Sequence, residues 1–167
     1  MDARRGLPGP PVPSNAPFTD RTSQGSTTMS FKALLAPVFV QVLLTFCLLF
    51  WTGRVRFAAA RAGAVRVQDI SLGERTWPAP VQQVSNAFAN QFELPVLFYA
   101  VVGLALATRQ GDTLFVGLAW LFVLTRIVHA GIYATSNVVI RRFQAFLAGA
   151  LVLLAMWFVF AVEILLA

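Results

Sequence analysis

LFVGLAWLFVLTRIVHAGIYA, residues 114–134, is a run of 21 residues in which only Arg126 and His129 can carry charge. About 20 mostly apolar residues are what an α-helix needs to cross roughly 30 Å of hydrocarbon. Three further segments of similar make-up, 33–52, 87–108 and 143–166, take up most of the remaining chain. Of the 167 residues 57% are hydrophobic and 12% charged, and the mean hydropathy is +0.70. A soluble domain carries about 25% charged residues, so a water-facing surface of ordinary composition is excluded. The sequence predicts an all-α, integral membrane four-helix bundle over residues 31–167. A secretory leader is the rival reading of 33–52, because the small residues Ala58, Ala59 and Ala60 follow it. Its 20 apolar residues exceed the roughly 7–15 of a leader's apolar core, and the polar segment before it is long. A retained helix is the better reading.

Outside the four segments the chain is more polar, with one long connection and two short ones. Residues 1–30 are rich in Pro, Ser, Thr and Gly, with nothing to bury, and are predicted to be a disordered tail. Residues 109–113 make a very short connection, which forces the second and third segments into an antiparallel hairpin. The one long connection, 53–86, contains Pro78, Pro80 and several arginines and reads as an irregular stretch at the membrane surface. The net charge of +6 does not point to nucleic acid, because the arginines stand at the ends of apolar runs. Arg54, Arg56, Arg61, Arg66, Arg75, Arg141 and Arg142 all fall on one side of the predicted bundle. Basic residues collect in cytoplasmic loops, so both termini are expected on the opposite side, in the inner membrane of a bacterium or the endoplasmic reticulum of a eukaryote. The lone cysteine, Cys47, lies within an apolar run and reads as packing. The sequence holds no metal-ligand cluster, no nucleotide-binding glycine loop and no Ser-His-Asp spacing.

Ionisable groups inside the apolar segments are costly and are therefore the first place to look for function. Glu93 and Arg126, of opposite sign, sit in neighbouring segments and are plausible partners. Asn86, Asn90 and Glu93 share one helical stripe at i, i+4 and i+7; Arg126, His129 and Tyr133 share another at i, i+3 and i+7. Facing each other, the two stripes would line a hydrated cavity open toward the arginine-rich side, with Arg56 and Arg142 at its mouth. Such a cavity suits a small anion that also carries an amine: carboxylates to the guanidiniums, ammonium to Glu93. Each residue also has a plainer reading. The Glu–Arg pair could lock two helices, His129 could be a packed neutral ring, and Tyr133, Trp51 and Trp120 could be interfacial aromatics. Arg141 and Arg142 could be topology signals. Convergence of all of them on one side favours a site.

At these residues the sequence resembles the MAPEG family, the membrane-associated proteins in eicosanoid and glutathione metabolism, which include microsomal glutathione transferases and prostaglandin E synthase. Thr52-Gly53-Arg54-Val55-Arg56 resembles a TG-x-VR segment of the family. Asn90-Gln91-Phe92-Glu93-Leu94-Pro95 resembles its N-x-x-E followed by proline, and the stretch from Arg126 to Tyr133 its R-x-x-H-x-x-x-Y. The likeness runs from about residue 33 to 166. It implies a homotrimer with glutathione, as co-substrate, bound between subunits, and it assigns Arg56, Asn90, Glu93, Arg126, His129, Tyr133 and Arg142 to that site. It further implies a transferase or peroxidase for lipophilic electrophiles, with Arg142, and next Arg126, as the catalytic cation beside the thiol. One departure stands out: eicosanoid-metabolising members usually have arginine where this chain has Asn86. The family also includes a non-catalytic lipid-presenting member, so a lipid-binding or scaffold protein of the same fold is the alternative. A proton- or solute-conducting bundle ranks below both, since no repeated half or pair of broken helices supports it.

Overall fold

The computed structural model describes residues 31–66, 68 and 77–166; the predicted disordered tail at 1–30 lies outside them. The described residues form helices α1 (Phe31–Arg61), α2 (Ala79–Ala89), α3 (Leu94–Ala107), α4 (Thr113–Ala134) and α5 (Val139–Leu166), with a 3-10 turn at Asn90–Phe92 joining α2 to α3. Taking α2 to α3 as one segment gives four helical spans long and apolar enough to cross a bilayer. No strand occurs among the described residues.

Three spans differ from their sequence-based bounds; the fourth starts at Val139 rather than residue 143, so Arg141 and Arg142 lie in its first turn. The first was expected to end near Thr52 but runs on to Arg61, because 53–61 is rich in Arg and Ala, which favour helix whether or not lipid surrounds them. The second begins eight residues before the expected Ala87, at Ala79, so the end of the long connection is helical rather than irregular. Pro78 precedes α2 as its cap and Pro80 sits in its first turn, where a missing N–H costs nothing. This span is also interrupted. Pro95 lacks the N–H for an i→i−4 bond and its ring crowds the carbonyl of Gln91. The chain therefore tightens into the 3-10 turn, leaves helical geometry at Glu93 (φ −100°, ψ −103°) and restarts with Pro95 in the first turn of α3.

The hairpin between α3 and α4 is as short as expected. Arg109 (φ 57°) and Gly111 (φ 113°) take left-handed conformations, and the Asp112 carboxylate caps α4 by accepting from the Phe115 amide at 2.8 Å. A Cβ on Gly111 would come within 3.3 Å of Leu34, so glycine serves both the turn and the approach of α1.

The bundle has two halves. Toward the hairpin end the interior is apolar: Phe98 stacks on Phe122 with ring centroids 4.7 Å apart, among Val101, Phe115, Val123 and Met156. Toward the arginine end the interior is small and polar, with Ala87, Ala130 and Ala134 beside buried Gln41, Ser85, Gln91, Arg126 and His129. The outside is apolar, with Phe39, Phe50, Leu124, Leu154 and Phe158 all exposed. An apolar outside, with the polar side chains turned inward at one end, is the pattern a bilayer selects.

Candidate functional site

The broken second span aims Asn90 toward α4. Arg126, fully buried at 0% exposure, donates from Nη2 to Asn90 Oδ1 in a very short contact and to the Asn90 carbonyl at 3.4 Å. Asn90 Nδ2 in turn donates to Glu93 Oε2 at 2.8 Å. The expected Glu93–Arg126 contact is thus relayed rather than direct, because the 3-10 turn puts Asn90 between α4 and the exposed Glu93. Arg126 keeps Nε and Nη1 buried without a protein partner. Such donors cost free energy unless an acceptor reaches them.

His129 lies one turn along α4 at 3% exposure. Its Nδ1 is 3.0 Å from the Arg142 carbonyl. A carbonyl only accepts, so Nδ1 carries the proton in the neutral ring and Nε2 is left as a buried acceptor with no protein partner. The Tyr133 ring meets His129 edge-on at 5.8 Å and carries the Arg142 guanidinium 4.2 Å above its centroid. Arg142 Nη1 also donates to Asn137 Oδ1 at 2.6 Å. Among the described residues neither contact gives Arg142 a carboxylate. Cation–π contact and an amide acceptor orient the guanidinium without neutralising it.

Asn90, His129, Tyr133 and Arg142, with Val139, Phe143 and Phe146, wall a cavity of about 230 Å³. Of the residues expected from the sequence, the structure therefore brings six into one connected group: four on the wall, Arg126 behind Asn90 and Glu93 beside it. Arg56 is elsewhere within the chain. Its Nε donates to Ser85 Oγ at 3.1 Å and its guanidinium lies 5.3 Å from the Trp77 ring centre, at the edge of a second cavity of about 520 Å³ walled by Leu49, Thr52, Phe88 and Phe92. Asn86 accepts from Gln82 Nε2 at 2.7 Å and adds no charge.

Three supporting residues escaped the sequence reading. Asn137 holds Arg142 from a left-handed conformation (φ 48°) in the turn after α4; an Asn just past a helix end is the signal for it. Gln41 and Gln91 bond to each other across α1 and the 3-10 turn at 2.9 Å, both fully buried. Two amides in otherwise apolar spans were visible, but their pairing was not.

The MAPEG family model matches residues 34–162, which include every residue of this group. The chain belongs to the MAPEG family. It is accordingly an integral membrane protein, and the four apolar spans are its membrane domain. At the level of the family it falls among membrane proteins of glutathione-related transfer and eicosanoid metabolism. No curated protein and no solved structure matches the chain. Among the described residues no group of three His, Cys, Asp or Glu side chains could hold a metal.

Proposed function

We propose that this MAPEG protein is a glutathione-dependent membrane transferase or peroxidase acting on lipophilic electrophiles that arrive through the bilayer. The observation that carries the reading is the charge imbalance of the site. Arg126 and Arg142 stand against the single carboxylate of Glu93, and buried donors on Arg126 lack acceptors. An anion repairs that imbalance, and an ammonium on the same molecule complements Glu93.

In this reading Arg142, held by Tyr133 and Asn137, lies beside the sulfur and favours the thiolate, which is the nucleophile. Arg126 acts through Asn90, fixing the amide and with it Glu93. His129 Nε2 accepts a hydrogen bond from the ligand. Arg56 is supplied by a neighbouring subunit of a homotrimer, since within one chain it faces a different cavity. For conjugation, the thiolate sulfur forms a bond to the electrophilic carbon, the leaving group departs with its electron pair, and the thiol proton passes to solvent.

The test is conjugation of an aryl halide by the purified protein. Arg142→Ala should lower kcat by about 10²–10³, the loss that follows removal of one donor stabilising a developing charge. Arg126→Gln should chiefly raise KM for glutathione. Activity unchanged in both variants would refute the mechanism. Asn86 favours a second reading, a non-catalytic lipid-binding protein of the same fold, because the site then has one cation fewer than the family resemblance leads one to expect. A ligand at 100 times its Kd stabilises a protein by about 2.7 kcal/mol. A thermal unfolding midpoint in detergent that ignores glutathione selects this second reading.

A further inference from the structure

Helix α1 does not stop where its apolar stretch ends. Beyond Thr52 it continues for more than two turns to Arg61, and this extension has two faces. Thr52 and Ala59 are buried on one of them. On the other, Arg54, Phe57 and Arg61 recur at i, i+3 and i+7, all exposed, with Phe57 69% exposed. The first turn of α5 repeats the combination: Arg141 is exposed beside Ile140, which is 72% exposed. Because the spans alternate in direction, the end of α1 and the start of α5 lie at the same end of the bundle. Among the described residues the side chains of Arg54, Arg61 and Arg141 form no hydrogen bond or ion pair. None of the three lines either cavity.

We propose that this end of the bundle is a binding surface for anionic phospholipid headgroups. Arg54, Arg61 and Arg141 take the phosphates, while Phe57 and Ile140 sit at the boundary between headgroups and acyl chains. Depth and chemistry together select this partner. The patch begins where the apolar stretch of α1 ends, so in a bilayer a leaflet surface would lie beside it. Guanidinium bonds phosphate through two N–H groups and carries its charge at every ordinary pH. A soluble polyanion would satisfy the arginines but leave Phe57 and Ile140 in water, whereas a leaflet covers both. The surface is independent of the thiol-binding reading, and either can fail alone.

The full chain is reconstituted into nanodiscs of equimolar phosphatidylglycerol and phosphatidylcholine, and the lipids retained after release into detergent are counted by native mass spectrometry. The wild type should enrich phosphatidylglycerol. The triple variant Arg54→Gln/Arg61→Gln/Arg141→Gln should lose most of that enrichment, by about fivefold per arginine at low salt. The corresponding triple lysine variant should retain most of it. Unfolding of the glutamine variant in zwitterionic detergent checks its fold; should it not fold, the three single variants must show graded losses. Equal enrichment in wild type and glutamine variants overturns the proposal. So does equal stabilisation by free inorganic phosphate in pure phosphatidylcholine, which would mark an ion site rather than a headgroup surface.

Discussion

Replacing each of Gln41 and Gln91 by Leu should give unequal costs and a strong coupling between them. Gln41 Nε2 donates to Gln91 Oε1 at 2.9 Å, Gln91 Nε2 donates to the Ala87 carbonyl at 3.1 Å, and Gln41 Oε1 is buried with no partner. Gln91→Leu therefore strands Gln41 Nε2 beside the already unpartnered Oε1 and loses the bond to Ala87. Gln41→Leu strands only Gln91 Oε1 and removes an oxygen that was already unsatisfied. A stranded buried group costs about 1–3 kcal/mol, and interhelical hydrogen bonds in membranes are worth about 0.6 kcal/mol on average. We expect about 2 kcal/mol for Gln91→Leu, about 1 kcal/mol or less for Gln41→Leu, and a double variant close to the Gln41→Leu single. The measurement is a double-mutant cycle by reversible unfolding in mixed micelles. Because Gln91 lies between Asn90 and Glu93, Gln91→Leu should also weaken glutathione binding at fixed detergent composition. Equal single costs that add in the double variant would refute the reasoning.

Asn90→Ala removes the main acceptor of a fully buried Arg126; it should cost about 1.5–3 kcal/mol by thermal unfolding, and less in an Arg126→Met background, where no charge is left stranded. Gly149→Ala should cost about 1–3 kcal/mol, since a Cβ there would lie 2.9 Å from Thr125 Oγ1, which is itself bonded to the Phe122 carbonyl at 2.6 Å. Asp112→Ala removes the cap of α4 at the hairpin end of the bundle, away from the Asn90–His129–Arg142 cavity; it should lower stability by about 1 kcal/mol while leaving glutathione affinity unchanged in calorimetry. Asn137→Ala frees the Arg142 guanidinium on one edge, and kcat for conjugation should fall several-fold with KM for glutathione little altered.

Hydrophobicity alone determined the class and span number of this protein, because in lipid every backbone polar group must be bonded within its own helix. The short hairpin after Ala107 fixed the direction of neighbouring spans, and helical periodicity put Arg126, His129 and Tyr133 on one stripe. Each of these follows from local geometry, where a residue's neighbours are its neighbours in sequence. What a polar side chain meets across the bundle depends instead on how helices rotate and break. The sequence reads the second span as continuous, and only the packed structure shows it broken before Pro95, with Asn90 rather than Glu93 turned toward Arg126. Likewise, only tertiary packing paired Gln41 with Gln91, brought Asn137 onto Arg142 and carried Arg56 to a separate cavity. The physical reason is that a buried polar atom takes the best partner within about 3 Å, and which atoms come that close is decided by helices distant in sequence.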